Sequence, residues 1–145
     1  MFNVLTSKAL SEVLRSNGYK VTPQRLAVYE SLSKTKSHPN AETLFKALQP
    51  QFPTMSFATV YKSVEIFDKL HVIKVLNTGE DSFRYDADTS NHQHIQCVKC
   101  GRVDDISLDC TAMCDSAETK SGYKVSGEEL YFYGLCPKCR AKESN

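Results

Sequence analysis

Two kinds of metal donor share one short run of this chain, His92-Gln93-His94-Ile95-Gln96-Cys97-Val98-Lys99-Cys100, and a second Cys-x-x-Cys follows at Cys136 and Cys139. Four thiolates are soft donors that complete a tetrahedron and leave no open position, which suits a structural zinc ion. Each Cys-x-x-Cys turn lets two sulfurs converge on one ion, and the long gap between the pairs predicts a clamp joining distant strands. The competing reading of Cys97, Cys100, Cys136 and Cys139 is two reactive dithiols. His92 and His94 alternate on what reads as a strand, so both rings project to one face. With carboxylates close by, they suit a second and more exchangeable ion, giving one site for structure and one for sensing.

The elements that must hold these residues fall into two groups. In the first half Ala9, Leu10, Val13 and Leu14 form an apolar stripe closed by Asn17-Gly18, a helix stop signal. Thr22-Pro23 opens a second helix, with Leu26, Tyr29 and Leu32 toward its core. Asn40 caps a third, with Leu44, Phe45 and Leu48 inward. A fourth is predicted from Ser56 to about Leu70, burying Val60, Val64 and Phe67 and leaving Thr59, Tyr61, Lys62 and Ser63 on or near the opposite face. The strand-like runs Val72–Val75 and Ser82–Asp86 flank a turn signal at Asn77-Thr78-Gly79-Glu80. Helices followed by such a hairpin describe a winged helix-turn-helix, whose fourth helix would enter the DNA major groove. In the second half strands are predicted at His94–Cys97, Val103–Ile106 and Glu129–Leu135, with a helix from Asp109 to about Ser121. The fold class is therefore α+β: an N-terminal winged-helix DNA-binding domain, residues 1–87, and a C-terminal α/β metal-binding domain with structural zinc, residues 88–145.

Composition sets the outer bounds. A chain of 145 residues with 41% hydrophobic residues is long enough for one domain or two small ones. No apolar run approaches the roughly 20 residues that span a bilayer, and Met1–Leu14 does not read as a secretion signal. A cytoplasmic location is expected, where six cysteines serve as reduced ligands rather than disulfides. The net charge is +1, but residues 1–85 carry 11 Lys/Arg against 7 Asp/Glu, while residues 86–145 carry 7 against 10. A basic first half beside an acidic, ligand-rich second half fits a nucleic-acid surface followed by a metal-binding module.

Five motifs occur in order: Thr22-Pro23-Gln24-Arg25, His38-Pro39-Asn40-Ala41-Glu42, Ser56-Phe57-Ala58-Thr59-Val60-Tyr61-Lys62, the His92/His94 run, and Tyr133-Gly134-Leu135-Cys136-Pro137-Lys138-Cys139. Together they resemble the ferric uptake regulator (Fur) superfamily of metal-dependent bacterial repressors over nearly the whole chain. The resemblance implies that residues 88–145 are also the dimerisation domain of a homodimer that binds a palindromic double-stranded operator. It also implies a regulatory Fe²⁺ or Mn²⁺ held by His38, Asp86, His92, His94 and Asp105. Iron-sensing members typically carry Glu at the two carboxylate places and peroxide-sensing PerR members Asp; Asp stands at both here. Asp104 adjoins Asp105, and the register between them stays open. In the peroxide-sensing branch the oxidised residues match His38 and His92. Mn²⁺ would bind without reacting.

The remaining residues divide as follows. Tyr61 and Lys62 are candidates for groove contacts, and Lys20 and Arg25 for phosphates. Asp88 and Asp104 are expected in solvent, and His71 after the fourth helix without a ligand role. Cys110 and Cys114 share one helix face; small buried apolar residues, a redox pair and an accessory metal site are the readings open for them. The functions to separate are a peroxide-sensing repressor, an iron- or manganese-responsive repressor, and a metalloenzyme using His92 and His94. No general base or substrate pocket can be read for the last, so a non-enzyme is expected.

Overall fold

The computed structural model describes residues 4–77 and 82–143, and the chain divides into two compact units, Met1–Ser90 and Asn91–Asn145. The division falls three residues beyond the sequence-based boundary at 87/88. The intervening residues belong to the first unit because Lys74 Nζ donates to the Ser90 carbonyl at 2.8 Å and Asp88 Oδ1 accepts from the Ser90 N–H and hydroxyl.

The first unit contains α1 (Ser7–Ser16), α2 (Pro23–Ser33), α3 (Ala41–Leu48), α4 (Phe57–Lys69), β1 (Lys74–Leu76) and β2 (Arg84–Asp86). Each helix starts where a polar side chain replaces the missing turn of backbone acceptors. Thr6, Thr22, Asn40 and Ser56 accept from the N–H groups of Ala9, Arg25, Thr43 and Thr59, each worth about 1 kcal/mol. Two ends close in the same way. After α1, Gly18 (φ 79°) donates to Arg15 O and Tyr19 to Leu14 O; after α4, His71 (φ 58°) donates to Asp68 O and Val72 to Phe67 O. His71 thus fills a left-handed position usually given to glycine. The same motif holds Val72 to the helix end, so strand pairing begins at Lys74 rather than at Val72.

Leu10, Leu14, Val28, Tyr29, Leu32, Leu44, Leu48, Val60, Val64 and Phe67 form one buried cluster. The Tyr29 and Phe67 rings meet edge to face at 5.6 Å. Leu26 and Phe45 pack at its margin. Ser63, expected on the open face of α4, is buried, its hydroxyl donating back to Thr59 O at 2.8 Å. A small hydroxyl satisfied within its own helix can face the core without cost in unpaired polarity. Antiparallel pairing of Lys74 with Asp86 and Leu76 with Arg84 makes the hairpin of the winged-helix architecture. Of the turn predicted there, Thr78, Gly79 and Glu80 lie outside the described residues.

The second unit contains β3 (Gln93–Cys97), β4 (Val103–Ile106), α5 (Thr111–Ser121), β5 (Tyr131–Gly134) and α6 (Pro137–Glu143). Its sheet has the order β4-β3-β5, with β3 antiparallel to β4 and parallel to β5. α5 begins two residues after Asp109, whose carboxylate instead accepts from the Thr111 N–H at 3.0 Å. α6 was not anticipated: seven residues beginning with Pro and carrying a metal-type cysteine lack an apolar period. Among the described residues of this unit the buried hydrophobic ones are Cys97, Val103, Cys110 and Cys139. None of the residues of α5 is buried.

Candidate metal centres and nucleic-acid face

The register of the second sheet assembles the cysteines. β3 ends at Cys97, which lies opposite Gly134 at the end of parallel β5, so Cys136 emerges beside it. After Cys97 the chain reverses through Gly101 (φ 80°), with Gly101 N–H donating to Cys97 O and Cys97 N–H to Arg102 O. The reversal returns Cys100 Sγ toward the strand, and α6 does the same for Cys139. Donor sulfurs of Cys97, Cys100, Cys136 and Cys139 all lie within 4.8 Å of one another, and Cys100 Sγ is 3.8 Å from Cys136 Sγ. Zinc–sulfur bonds of about 2.3 Å arranged tetrahedrally require sulfur–sulfur edges of about 3.8 Å.

Charge at the cluster points the same way. Backbone N–H groups of Cys100 and Cys136 hold the Cys97 thiol down to about 6, and that of Cys139 lowers Cys136. The Cys139 thiol is pushed up to about 12, first by the Cys136 sulfur beside it and then by burial. Two sulfurs are prepared to be thiolates, and their charge keeps the last proton on until a cation neutralises them. A divalent soft-acceptor ion fits this donor set. All six cysteines are free thiols.

In the first unit His38 stands between α2 and α3 with φ 53°, and its Nε2 lies 3.3 Å from Asp86 Oδ2. Both side chains are buried. A non-glycine residue in the left-handed region costs roughly 1–2 kcal/mol, and here it precedes Pro39, which excludes the right-handed helical alternative. Pro39 O accepts from Tyr85 N–H at 3.0 Å, pinning the loop to β2 beside Asp86. Asp86 Oδ1 accepts from the Asp88 N–H at 2.9 Å. Asp88 is not in solvent as expected: it is 6% exposed, bonded to Ser90 and 3.4 Å from Lys36 Nζ. The ammonium and the local hydrogen bonds compensate the burial of its charge.

In the second unit His94 on β3 lies directly across from Asp105 on β4. Asp105 Oδ1 is 3.2 Å from His92 Nε2 and 3.3 Å from His94 Nε2, and the two rings are 4.6 Å apart. His94 also stacks on Tyr131 at 5.9 Å. Strand alternation sends Asp104 to the other face, where its carboxylate pairs with Arg102 Nε at 2.7 Å. Asp105 is therefore the aspartate that joins the histidines. Gln93, on the face opposite His94, is buried and accepts from the Leu108 N–H at 2.7 Å.

On α4, Tyr61 is 49% exposed and Lys62 exposed, with Phe57 exposed one turn before Tyr61 at a ring distance of 6.3 Å. Phe57 and Phe83 form an aromatic patch with Tyr61 around one surface pocket. The sequence reading passed over both, because an exposed phenylalanine has no pattern distinguishing it from a core one. Lys20 is exposed, whereas Arg25 is half-buried and donates from Nη1 to the Lys20 carbonyl at 2.7 Å. That bond fixes the loop before α2 and leaves less of the guanidinium for a phosphate. Glu128, 3.3 Å from Cys114 Sγ, was also missed, since fourteen residues of sequence separate the two.

Comparison with known proteins adds the last observations. Transcriptional regulator PerR of Clostridium acetobutylicum is 46% identical over 134 residues, covering 92% of this chain and 97% of that one. The peroxide operon regulator of Bacillus subtilis is 37% identical over 139 residues, covering 95% of this chain and 96% of that one. The crystal structure of the Campylobacter jejuni peroxide stress regulator superimposes with a TM-score of 0.73 at 30% identity, over 90% of this chain and 98% of that one. Residues 16–133 match the ferric uptake regulator family, and with relatives of this identity spanning both units, the chain belongs to the ferric uptake regulator family.

Proposed function

We propose that the protein is a metal-dependent transcriptional repressor that releases its operator when peroxide oxidises a histidine of its regulatory site. The observation that carries this reading is the pair of short carboxylates: Asp86 meets His38 and Asp105 meets both His92 and His94, each at 3.2–3.3 Å. The names of the PerR relatives support it. In this reading the two half-sites close on one Fe²⁺ or Mn²⁺, with His38 and Asp86 contributed by the first unit and His92, His94 and Asp105 by the second. Five nitrogen and oxygen donors suit these ions and leave a sixth position open. Fe²⁺ held there would activate peroxide next to the ligating rings, with no net loss of electrons from the ion. His38 or His92 would supply the two electrons, gaining one oxygen atom on its ring while the other peroxide oxygen leaves as water, and the altered ring would be a poorer ligand.

Cys97, Cys100, Cys136 and Cys139 hold a structural Zn²⁺ in this proposal, and the ion is redox-inert beside a reactive site. The second unit forms a homodimer through apolar groups left open on its surface, among them Ile95, Val98, Met113, Phe132 and Tyr133. Two copies of α4 enter successive major grooves of a palindromic site. Tyr61 and Lys62 face the bases, Lys20 and Arg25 the backbone. The protein acts in the cytoplasm, consistent with six free thiols and with no helix long and apolar enough to cross a membrane among the described residues. It is a regulator and not an enzyme.

The test is anaerobic Fe²⁺ loading, a brief peroxide pulse and peptide mass mapping. A gain of one oxygen in the peptides holding His38 or His92, absent from the Mn²⁺ form, is expected. Unchanged peptides in a protein whose DNA binding still requires metal would leave an iron- or manganese-responsive repressor instead.

A further inference from the structure

Behind His38 and Asp86 the first unit carries a chain of polar contacts that no role above uses. Asp86 Oδ1 accepts from the Asp88 N–H at 2.9 Å, and Asp88 Oδ1 accepts in the same way from the Ser90 N–H at 3.0 Å and from its hydroxyl at 2.6 Å. In both turns an aspartate side chain bonds the backbone two residues on, a local geometry that fixes the carboxylate together with the chain. The segment is tied down from two flanks. Lys74 on β1, which lies across from Asp86 in the hairpin, donates from Nζ to Ser90 O at 2.8 Å. Lys36, two residues before His38, brings its Nζ to 3.4 Å from Asp88 Oδ2. Lys36, Asp86 and Asp88 line one cleft of about 240 Å³, and no other lining residue among those described is charged. Asp88 is buried, so the ammonium is the charge that compensates its carboxylate there.

We infer that Lys36 and Asp88 are positioning residues for the regulatory ion, an inference that rests on the reading of His38 and Asp86 as two of its ligands. With Oδ1 engaged by the Asp88 N–H, the Asp86 carboxylate turns its Oδ2 toward His38, at 3.3 Å from Nε2. Lys36 and His38 share the loop between α2 and α3. The Lys36–Asp88 contact therefore holds that loop to the Asp86–Ser90 segment and sets one ligand against the other. An ion that meets donors already in place loses less affinity to ordering them. Direction separates this role from a plain charge effect. An ammonium close to a cation site repels the cation, so deleting Lys36 would tighten binding if Coulomb repulsion were all it contributed. Positioning requires the reverse.

The experiment is Mn²⁺ titration of the reduced, zinc-loaded full-length protein in competition with a fluorescent chelator, with zinc content and melting temperature measured on every variant. Lys36→Met and Asp88→Asn should each weaken Mn²⁺ binding about tenfold, the lower end of the range for groups that orient metal ligands, and Lys36→Arg should keep wild-type affinity. Lys34→Met removes the same charge two residues away, from a lysine that pairs with Glu30 on the surface, and should change nothing. Asp105→Ala, which removes a ligand, should weaken binding at least as far as either variant. Wild-type affinity in Lys36→Met and Asp88→Asn, or tighter binding in Lys36→Met, beside a loss in Asp105→Ala overturns the positioning role alone. Full affinity in Asp105→Ala would mean that Mn²⁺ binds elsewhere, and it overturns the proposed site together with this inference. A loss in Lys36→Met that follows a lowered melting temperature and recurs in Lys36→Arg overturns the inference as well, leaving the pair a role in stability.

Discussion

Removing the zinc should unfold the second unit while the first stays native. The unequal cores set the magnitude. The first unit buries a continuous cluster that includes Phe67, six leucines or valines of α1, α2 and α4, and Tyr29. In the second unit the buried hydrophobic residues among those described are Val103 and three cysteines, two of which belong to the four-cysteine cluster. Burying one valine-sized side chain yields only about 1.5–3 kcal/mol, far less than the conformational entropy of ordering the sheet and its connections. Structural zinc contributes about 10–16 kcal/mol of folding free energy in small domains, as much as the whole stability of an ordinary one. The assay is peptide-resolved hydrogen exchange on the full chain after chelation, with metal content measured on the same sample. Peptides from β3, β4 and β5 should lose protection and the dimer should dissociate, while peptides from α2 and α4 keep theirs. Protection of β3 and β4 persisting in demonstrably zinc-free protein would refute the argument, because it would mean that the small apolar core suffices.

Other substitutions separate neighbouring roles. Asp105→Ala should weaken Mn²⁺ binding by at least 10- to 100-fold, the range seen when even indirect supports of a metal site are lost, whereas Asp104→Ala should leave it unchanged; competition against a fluorescent chelator reads both. Lys62→Ala should lower operator affinity and relax sequence discrimination, because its ammonium faces base edges, whereas Lys20→Ala should weaken binding alike on all sequences and reduce the slope of log affinity against log salt by about 1. A slope reduced by about 1 with discrimination intact in Lys62→Ala would instead place that residue on a phosphate. Thr22→Ala removes the acceptor at the start of α2 and should cost about 1 kcal/mol, seen as a lower melting temperature of the first unit with zinc content unaffected.

The sequence made the helices legible because their signals are local. Thr22-Pro23, Asn40 and Ser56 cap the helices that they were expected to cap, and the apolar period of α4 buries Val60, Val64 and Phe67. It could not show Ser63 turning inward, since a hydroxyl satisfied by its own helix has no periodic signature. Nor could it choose between Asp104 and Asp105. That choice follows from the antiparallel register that sets His94 against Asp105, and register is a property of two strands, not of one. Asp88 was misjudged for the same reason: its partner, Lys36, is fifty-two residues away. The four clustered cysteines, by contrast, announce themselves through residue type and spacing alone, and their assembly needs only the β3–β5 pairing to bring the two Cys-x-x-Cys turns together.

The two chemistries share a strand, and this orders their dependence. His94 and Cys97 both lie on β3, separated by three residues, or about 10 Å along an extended chain. Cys97 closes β3 against β4 through Arg102 O and carries one corner of the four-cysteine cluster, while His94 owes its position against Asp105 to the same strand pair. Loss of zinc therefore frays the register that sets both histidines against Asp105 Oδ1. Loss of the regulatory ion removes only a ligand from side chains whose backbone is held by the sheet. The coupling is consequently one-way in structure: zinc-free protein should fail to bind Mn²⁺, whereas Mn²⁺-free protein should keep its full zinc content. In the proposed reading, the four-cysteine cluster at the end of the strand holds the frame on which the histidine ligands of the exchangeable ion are set.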